Sequence, residues 1–356
     1  MLEDGPLYLR EGSGLTKLLP ETEGGGASFQ IAAANGTIAF FINGGTLFRY
    51  GSESEASTAI ATGVKGVLGA SADGSYVYYQ DASGLEQWHD GTTTTIAPGA
   101  DAAAPEDYPP ESGSSRVSAD GSSVAFLSIA ELTPYENVDA NSGNRDTELY
   151  LFREAPGADS GTLICASCNP TGERPLGSAS VPGAYANGST RIYKPRVLAR
   201  DGSRLFFDSA DRLSIADSDG LPDVYEWEAT GTGDCTQAAG CISLISQART
   251  EGATFLDASA SGDDVFFLTG ESSVGVDPGS VDVYDARVGG GLPESPRPFV
   301  CTGDACQALP SPPDDPTPGT LVPNGGNPPQ QITKPKPRKH KHRHHKHKHK
   351  NRSGRR

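Results

Sequence analysis

The chain of 356 residues is 35% hydrophobic and carries 44 Gly and 27 Pro against a single Met, with a formal charge of −16. That balance is poor in helix formers and rich in turn formers, which excludes a helical bundle and calls for many short strands. The charge is divided: residues 317–356 hold 12 of the 29 Lys and Arg and no acid, leaving 1–316 with 17 basic and 45 acidic groups, formally −28.

No apolar run reaches the ~20 residues of a bilayer-crossing helix. The opening Met1–Gly5 has neither the basic region nor the apolar core of a signal peptide. Leu7–Arg10 and Leu15–Leu19 then read as two strands, the second half of a unit that recurs later. The full unit starts with a small residue, a turn on Asn-Gly or Asp-Gly, and an aromatic-rich strand. It occurs at Ala34–Phe41, Ser71–Tyr79, Ser118–Phe126, Ala199–Phe207 and, with Ser-Gly in the turn, at Ser259–Phe267. Asn-Gly and Asp-Gly accept positive φ, which suits a tight reversal between antiparallel strands. β-Branched and aromatic residues after each turn predict a buried strand.

A second phrase follows each first one: Thr46-Leu47-Phe48, Glu86-Gln87-Trp88, Glu148-Leu149-Tyr150, Asp223-Val224-Tyr225 and Asp282-Val283-Tyr284. In four of these five an acid stands two residues before the aromatic, on the same face of a strand. A further strand is expected at Thr92–Ile96, Thr162–Cys165, Cys241–Ile245 and Pro298–Val300, giving about four strands per unit. The turn glycines lie 38, 47, 81 and 60 residues apart, as when loops vary while strands repeat. This pattern predicts an all-β chain, a β-propeller of about six blades over residues 1–308. A β-sandwich is the rival, but its strands need not repeat a paired phrase in fixed order. The half unit at the start predicts a chain that begins inside a blade, with upstream strands and any export signal beyond it.

Three connections are rich in acids. Oxygen side chains at alternate positions around a glycine turn can wrap a hard cation, so Asp217, Asp219 and Asp223 are calcium candidates, as are Asp139, Asn141 and Asp146. A third such stretch runs from Asp277 to Asp282. The competing reading is that Asp and Asn simply cap turns. No other cofactor is expected. Cys165 and Cys168, Cys235 and Cys241, and Cys301 and Cys306 form three close pairs that read as structural disulfides, hence an oxidising compartment, extracellular or in the cell envelope. A thioredoxin-type role for the first pair would need a helix start in a βαβ setting. His89 is the sole His before the tail. No Gly-x-Ser-x-Gly elbow, phosphate loop or His-Glu-x-x-His occurs, so catalysis would have to use carboxylates converging from several blades.

The chain ends in a Pro/Gly-rich linker, 309–333, and a basic tail, 334–356, that is expected to be disordered. Lys334, Lys336, Arg338, Lys339, Lys341, Arg343, Lys346, Lys348 and Lys350, interleaved with six His, suit an anionic cell-wall polymer or lipid headgroups. They could also attract nucleic acid through its phosphates, but no aromatics interleave them, so no specific nucleic-acid readout is expected.

The Ala-Asp-Gly turn phrase with its later acid-x-aromatic resembles the WD40-like repeats of TolB-type propellers. The Cys-pair loops and Lys/His tail resemble uncharacterised exported actinobacterial members of that group. The resemblance covers roughly residues 5–300, and implies a propeller in the envelope or outside the cell that binds a protein or glycan partner. TolB's partner-binding residues have no counterparts that can be placed here. An extracellular hydrolase or lyase is the alternative expectation.

Overall fold

Each turn phrase does the same local job. Asn35, Asp73, Asp120 and Asp201 accept on Oδ1 the backbone N–H two residues on, at 2.9–3.0 Å. The glycine between adopts positive φ, 73° at Gly74 and 82° at Gly121. In blades 2 to 5 a side chain there would also collide with the preceding unit. A Cβ on Gly121 would stand 2.4 Å from the Tyr76 ring, and one on Gly74 would stand 2.7 Å from Ile38.

In the computed structural model the described residues are 5–12, 14–99, 101–108, 113–154, 161–183, 185–186, 189–190, 194–274 and 280–291. The chain divides into two units, 1–297 and 298–356. Cys301, Cys306, the strand expected at Pro298–Val300, the linker and the basic tail all lie outside the described residues.

Strands β1 (Tyr8–Glu11) and β2 (Leu15–Leu18) form a two-stranded opening sheet. Blade 1 is the meander β3 (Ala27–Ala32), β4 (Ile38–Asn43), β5 (Thr46–Gly51) and β6 (Ala56–Thr62). Blade 2 is β7 (Gly66–Ala70), β8 (Tyr76–Gln80), β9 (Gly84–His89) and β10 (Thr92–Pro98). Blade 3 is β11 (Arg116–Val117), β12 (Ser123–Ser128), β13 (Glu148–Glu154) and β14 (Gly161–Cys165). Blade 4 opens with β15 (Ala179–Ser180), after which a small hairpin, β16 (Tyr185–Ala186) and β17 (Ser189–Thr190), is inserted. It continues with β18 (Arg204–Ser209), β19 (Asp223–Glu228) and β20 (Cys241–Leu244). Blade 5 shows β21 (Ala253–Ala258), β22 (Asp264–Thr269) and β23 (Asp282–Arg287). Every pairing is antiparallel, and each second strand pairs along its length with the third, as in Phe126↔Tyr150 and Phe207↔Tyr225.

A chain of main-chain hydrogen bonds ties the blades at their turns. The N–H of Ala34 donates to the Ala72 carbonyl, Ala72 to Ala119, Ala119 to Arg200, and Arg200 to Ala260, at 2.8–2.9 Å. Equivalent residues of successive sheets thus hold hands around one axis, which two stacked layers could not do. The chain is a β-propeller, five blades and an opening half-blade among the described residues.

The core lies between blades, not within one. Along β8, Tyr78 faces blade 3 with Phe126 and Tyr150, while Val77 and Tyr79 face blade 1 with Phe40 and Leu47. Along β12, Ala125 and Leu127 turn the other way, toward Leu205 and Phe207 of blade 4. Burial on both faces is why these strands read as continuous apolar runs instead of alternating ones. The opening pair β1–β2 covers the remaining face of blade 1, where Leu7, Leu9 and Leu19 meet Phe41 and Tyr50. The 81-residue step before blade 4 is absorbed by long connections and by the β16–β17 hairpin.

Candidate functional site

Because the strands alternate in direction, the Asp-Gly turns emerge at one end of the propeller and the links from second to third strand at the other. The acid-rich stretches all belong to those links. Each ends in or beside the acid of the second phrase, and in blades 3 and 4 that acid has a structural duty. Glu148 Oε2 accepts from the Ser167 hydroxyl at 2.5 Å, and Ser167 Oγ in turn accepts the Leu149 N–H at 2.8 Å. Asp223 Oδ1 accepts from Ser246 at 2.6 Å, and Ser246 Oγ accepts the Val224 N–H at 3.1 Å. Both acids are buried. Burial pushes Glu148 up to about 8 against the Ser167 hydrogen bond, with Asp211 and Asp146 adding repulsion.

In blade 4 the link converges. Ligand atoms of Asp217, Asp219 and Asp223 all lie within 4.8 Å of one another. Each carboxylate has one oxygen engaged by the protein. Asp217 Oδ2 accepts the Tyr225 hydroxyl at 2.5 Å, Asp219 Oδ1 accepts the Leu221 N–H at 2.9 Å, and Asp223 Oδ1 is held by Ser246. The other oxygens are poorly served. Asp219 Oδ2 and Asp223 Oδ2 are buried without a hydrogen-bond partner, and Asp217 Oδ1 meets only the Asp219 N–H at 3.4 Å. Gly220, at φ 70°, makes the bend. Arg212 reaches this loop through the main-chain carbonyl of Asp217, at 2.8 and 3.1 Å. Glu271 of blade 5 adds a fourth carboxylate to the neighbourhood. Its Oε1 takes the N–H groups of Arg249, Thr250 and Glu251, and its Oε2 has no partner. Burial, with repulsion from Asp219, Asp217 and Glu271, pushes Asp223 up to about 6 against its bond from Ser246.

The corresponding link of blade 3 closes on itself. Asp139 Oδ1 accepts the N–H groups of Asn141 and Ser142, and those backbone bonds hold its carboxyl below the usual range. Asp146 Oδ1 accepts from Ser178 at 3.0 Å, leaving Oδ2 without a partner. Asn141 is exposed, and the carboxyls of Asp139 and Asp146 face each other. Arg145 crosses the link to bond Asn137 at 2.7 Å and Glu131 at 3.0 Å. In blade 5, Asp282 opens β23, while 277–279 lie outside the described residues.

Cys165–Cys168 and Cys235–Cys241 are disulfides, with Cα separations of 5.4 and 5.6 Å. The first follows β14, and the second staples the turn leading into β20. His89 ends β9 and stacks on Tyr76, centroids 3.7 Å apart. Elsewhere carboxylates meet around Arg204, whose Nη1 reaches Glu226 at 2.6 Å and Glu228 at 2.9 Å. Burial raises Glu226 to about 7 even against the attraction of that guanidinium.

The long-link end carries six of the twelve large exposed apolar side chains among the described residues. Ile215 is fully exposed beside the acidic loop of blade 4, and Ile129, Leu176, Leu221, Val274 and Val281 stand on neighbouring links. Leu176 and Ile215 flank a cleft of about 610 Å³ between blades 3 and 4, lined as well by Asn169, Glu173, Arg174 and Arg212. Sequence patterning missed this cleft, because its walls come from links 40 residues apart in the chain. It also missed Ser167, Ser246 and Glu271, which no local motif marks.

No family profile and no curated protein matches the chain. Among solved structures it is similar to a TolB protein from Agrobacterium tumefaciens, at 14% identity over 77% of this chain and 85% of that one, TM-score 0.33. It is also similar to oligogalacturonate lyase from Vibrio parahaemolyticus, at 12% identity over 72% of this chain and 61% of that one, TM-score 0.40. Tricorn protease matches at 12% identity over 77% of this chain, with a TM-score of 0.36, and the chain spans about a quarter (26%) of its length. The propeller class rests on the chain's own blades and on the bonds that join them.

Proposed function

We propose that the chain is a non-catalytic binding platform, extracellular or in the cell envelope, whose partner is a protein that docks on the long-link end. The observation that carries this reading is the cleft between blades 3 and 4. A fully exposed Ile215 and the half-exposed Leu176 stand there beside Arg174 and Arg212. Large apolar side chains left in water among guanidinium groups suit a protein surface. The cleft walls offer no aromatic face for a sugar ring to stack on. Two disulfides support an oxidising compartment.

The basic segment Lys334–Lys350 supplies the second half of the proposal, retention on an anionic surface. Such binding weakens as salt screens it. The test uses a photo-crosslinking residue at position 215 and, as control, at Asp120 on the opposite end, with the oxidised chain added to cell envelopes. The reading expects one protein adduct at 215 and none at 120. Equal labelling at both positions overturns the docking face. A form lacking 334–356 that stays on the envelope as firmly as the full chain overturns the anchoring role.

A further inference from the structure

We propose that Asp217, Asp219 and Asp223 hold a calcium ion in the link between β18 and β19. The three carboxylates present oxygens within 4.8 Å of one another. Calcium binds oxygen at about 2.3–2.6 Å, so two oxygens on one ion are at most about 5 Å apart. The distance alone does not make a site. The second observation is that Asp223 is completely buried, yet its Oδ2 has no hydrogen-bond partner, and the same holds for the Oδ2 of Asp219. Burying a carboxylate oxygen with nothing to receive its charge is unfavourable, and a bound cation removes that penalty.

The engaged oxygens complete the argument. Tyr225, the Leu221 N–H and Ser246 each hold one oxygen of each acid and so orient the other. Groups that fix a ligand's orientation in this way are characteristic of built metal sites. The donors are all carboxylate oxygens, with neither nitrogen nor sulfur among them, which selects a hard cation. Calcium accepts irregular shells of six to eight oxygens, with water completing the set, whereas magnesium demands an octahedron and gives up its water reluctantly. Glu271 places one more negative charge beside Asp223. The positive group on this loop, Arg212, bonds the Asp217 carbonyl and leaves the carboxylates to the ion.

The experiment is calorimetric titration of the full-length oxidised chain, first stripped with a chelator, with calcium chloride and separately with magnesium chloride. The expected result is saturable uptake of calcium with Kd of about 0.1–1 mM, the range of extracellular modules, and magnesium binding at least roughly tenfold weaker. The variant Asp219→Asn keeps an acceptor for the Leu221 N–H while removing a charge, and calcium should bind it about tenfold more weakly. Asp139→Asn should bind calcium as the parent does. Absence of saturable calcium binding, or an Asp219→Asn titration that overlays the parent, overturns the proposal. Should Asp219→Asn fail to fold, terbium decides on the parent chain alone: tyrosine-sensitised emission that calcium displaces supports the site, and no such emission overturns it. None of these outcomes depends on the docking face around Ile215.

Discussion

Two acid-rich links occupy equivalent places in neighbouring blades and resolve their charge differently. In blade 3, Asp139 turns its carboxylate inward onto two backbone N–H groups, Asn141 is exposed, and Arg145 lies across the link. In blade 4, three acids, Asp217, Asp219 and Asp223, gather within 4.8 Å of one another, and the tyrosine of the next strand supports them. Tyr150 gives its hydroxyl to the Ala130 carbonyl, whereas Tyr225 gives its hydroxyl to the Asp217 carboxylate. An acid-rich loop is therefore a capped turn or a cage depending on where its neighbours donate. The partner of one tyrosine marks the difference.

The largest separation between the two links should come from their strand-opening acids. With saturating calcium, Asp223→Ala is expected to lower unfolding stability by about 2–3 kcal/mol, which combines lost hydrogen bonding with lost ion binding. With chelator the loss should fall to less than half, because removing one of four mutually repelling carboxylates offsets the lost bond. Glu148→Ala should show the same loss in both conditions. Denaturant titration of the four samples checks this, and a calcium-independent Asp223→Ala would remove the distinction.

Next come the two tyrosines. Tyr225→Phe strands a buried carboxylate oxygen and should cost about 1–2 kcal/mol, while Tyr150→Phe loses a neutral hydrogen bond, roughly 0.5–1 kcal/mol. Equal losses in thermal melts would mean that the two hydroxyls do equivalent work. A separate effect is on pH dependence, and it belongs to blade 3. Glu148 titrates at about 8 in the fold against an ordinary 4.5. The folded chain therefore binds more protons than the unfolded one between those values, and this group's contribution to stability declines as pH rises from about 4.5 to 8. Glu148→Gln should flatten that part of the stability–pH curve. An unchanged slope would show that Glu148 is already ionised at neutral pH.

Much of the architecture was legible because the turn chemistry is local. An Asp that caps the N–H two residues on, followed by a glycine at positive φ, is visible in five residues, and its recurrence set the blades in order. The innermost strands were not visible. Gly66–Ala70 and Arg116–Val117 carry no turn signature or alternation of their own, and they are strands because they pair with β8 and β12. The six acidic candidates were all legible as acids or amides near a bend. What separated them was not, since Ser246 lies 23 residues beyond Asp223 and Glu271 lies in another blade.

Backbone hydrogen exchange followed with and without calcium compares both links in one experiment. The cage in blade 4 should close around the ion, so amides 218–224 should exchange at least about tenfold more slowly with calcium, while amides 140–147 should be unchanged. Slowing of both links alike, or of neither, would contradict the claim that the blade 4 link, and not that of blade 3, is built to hold a cation.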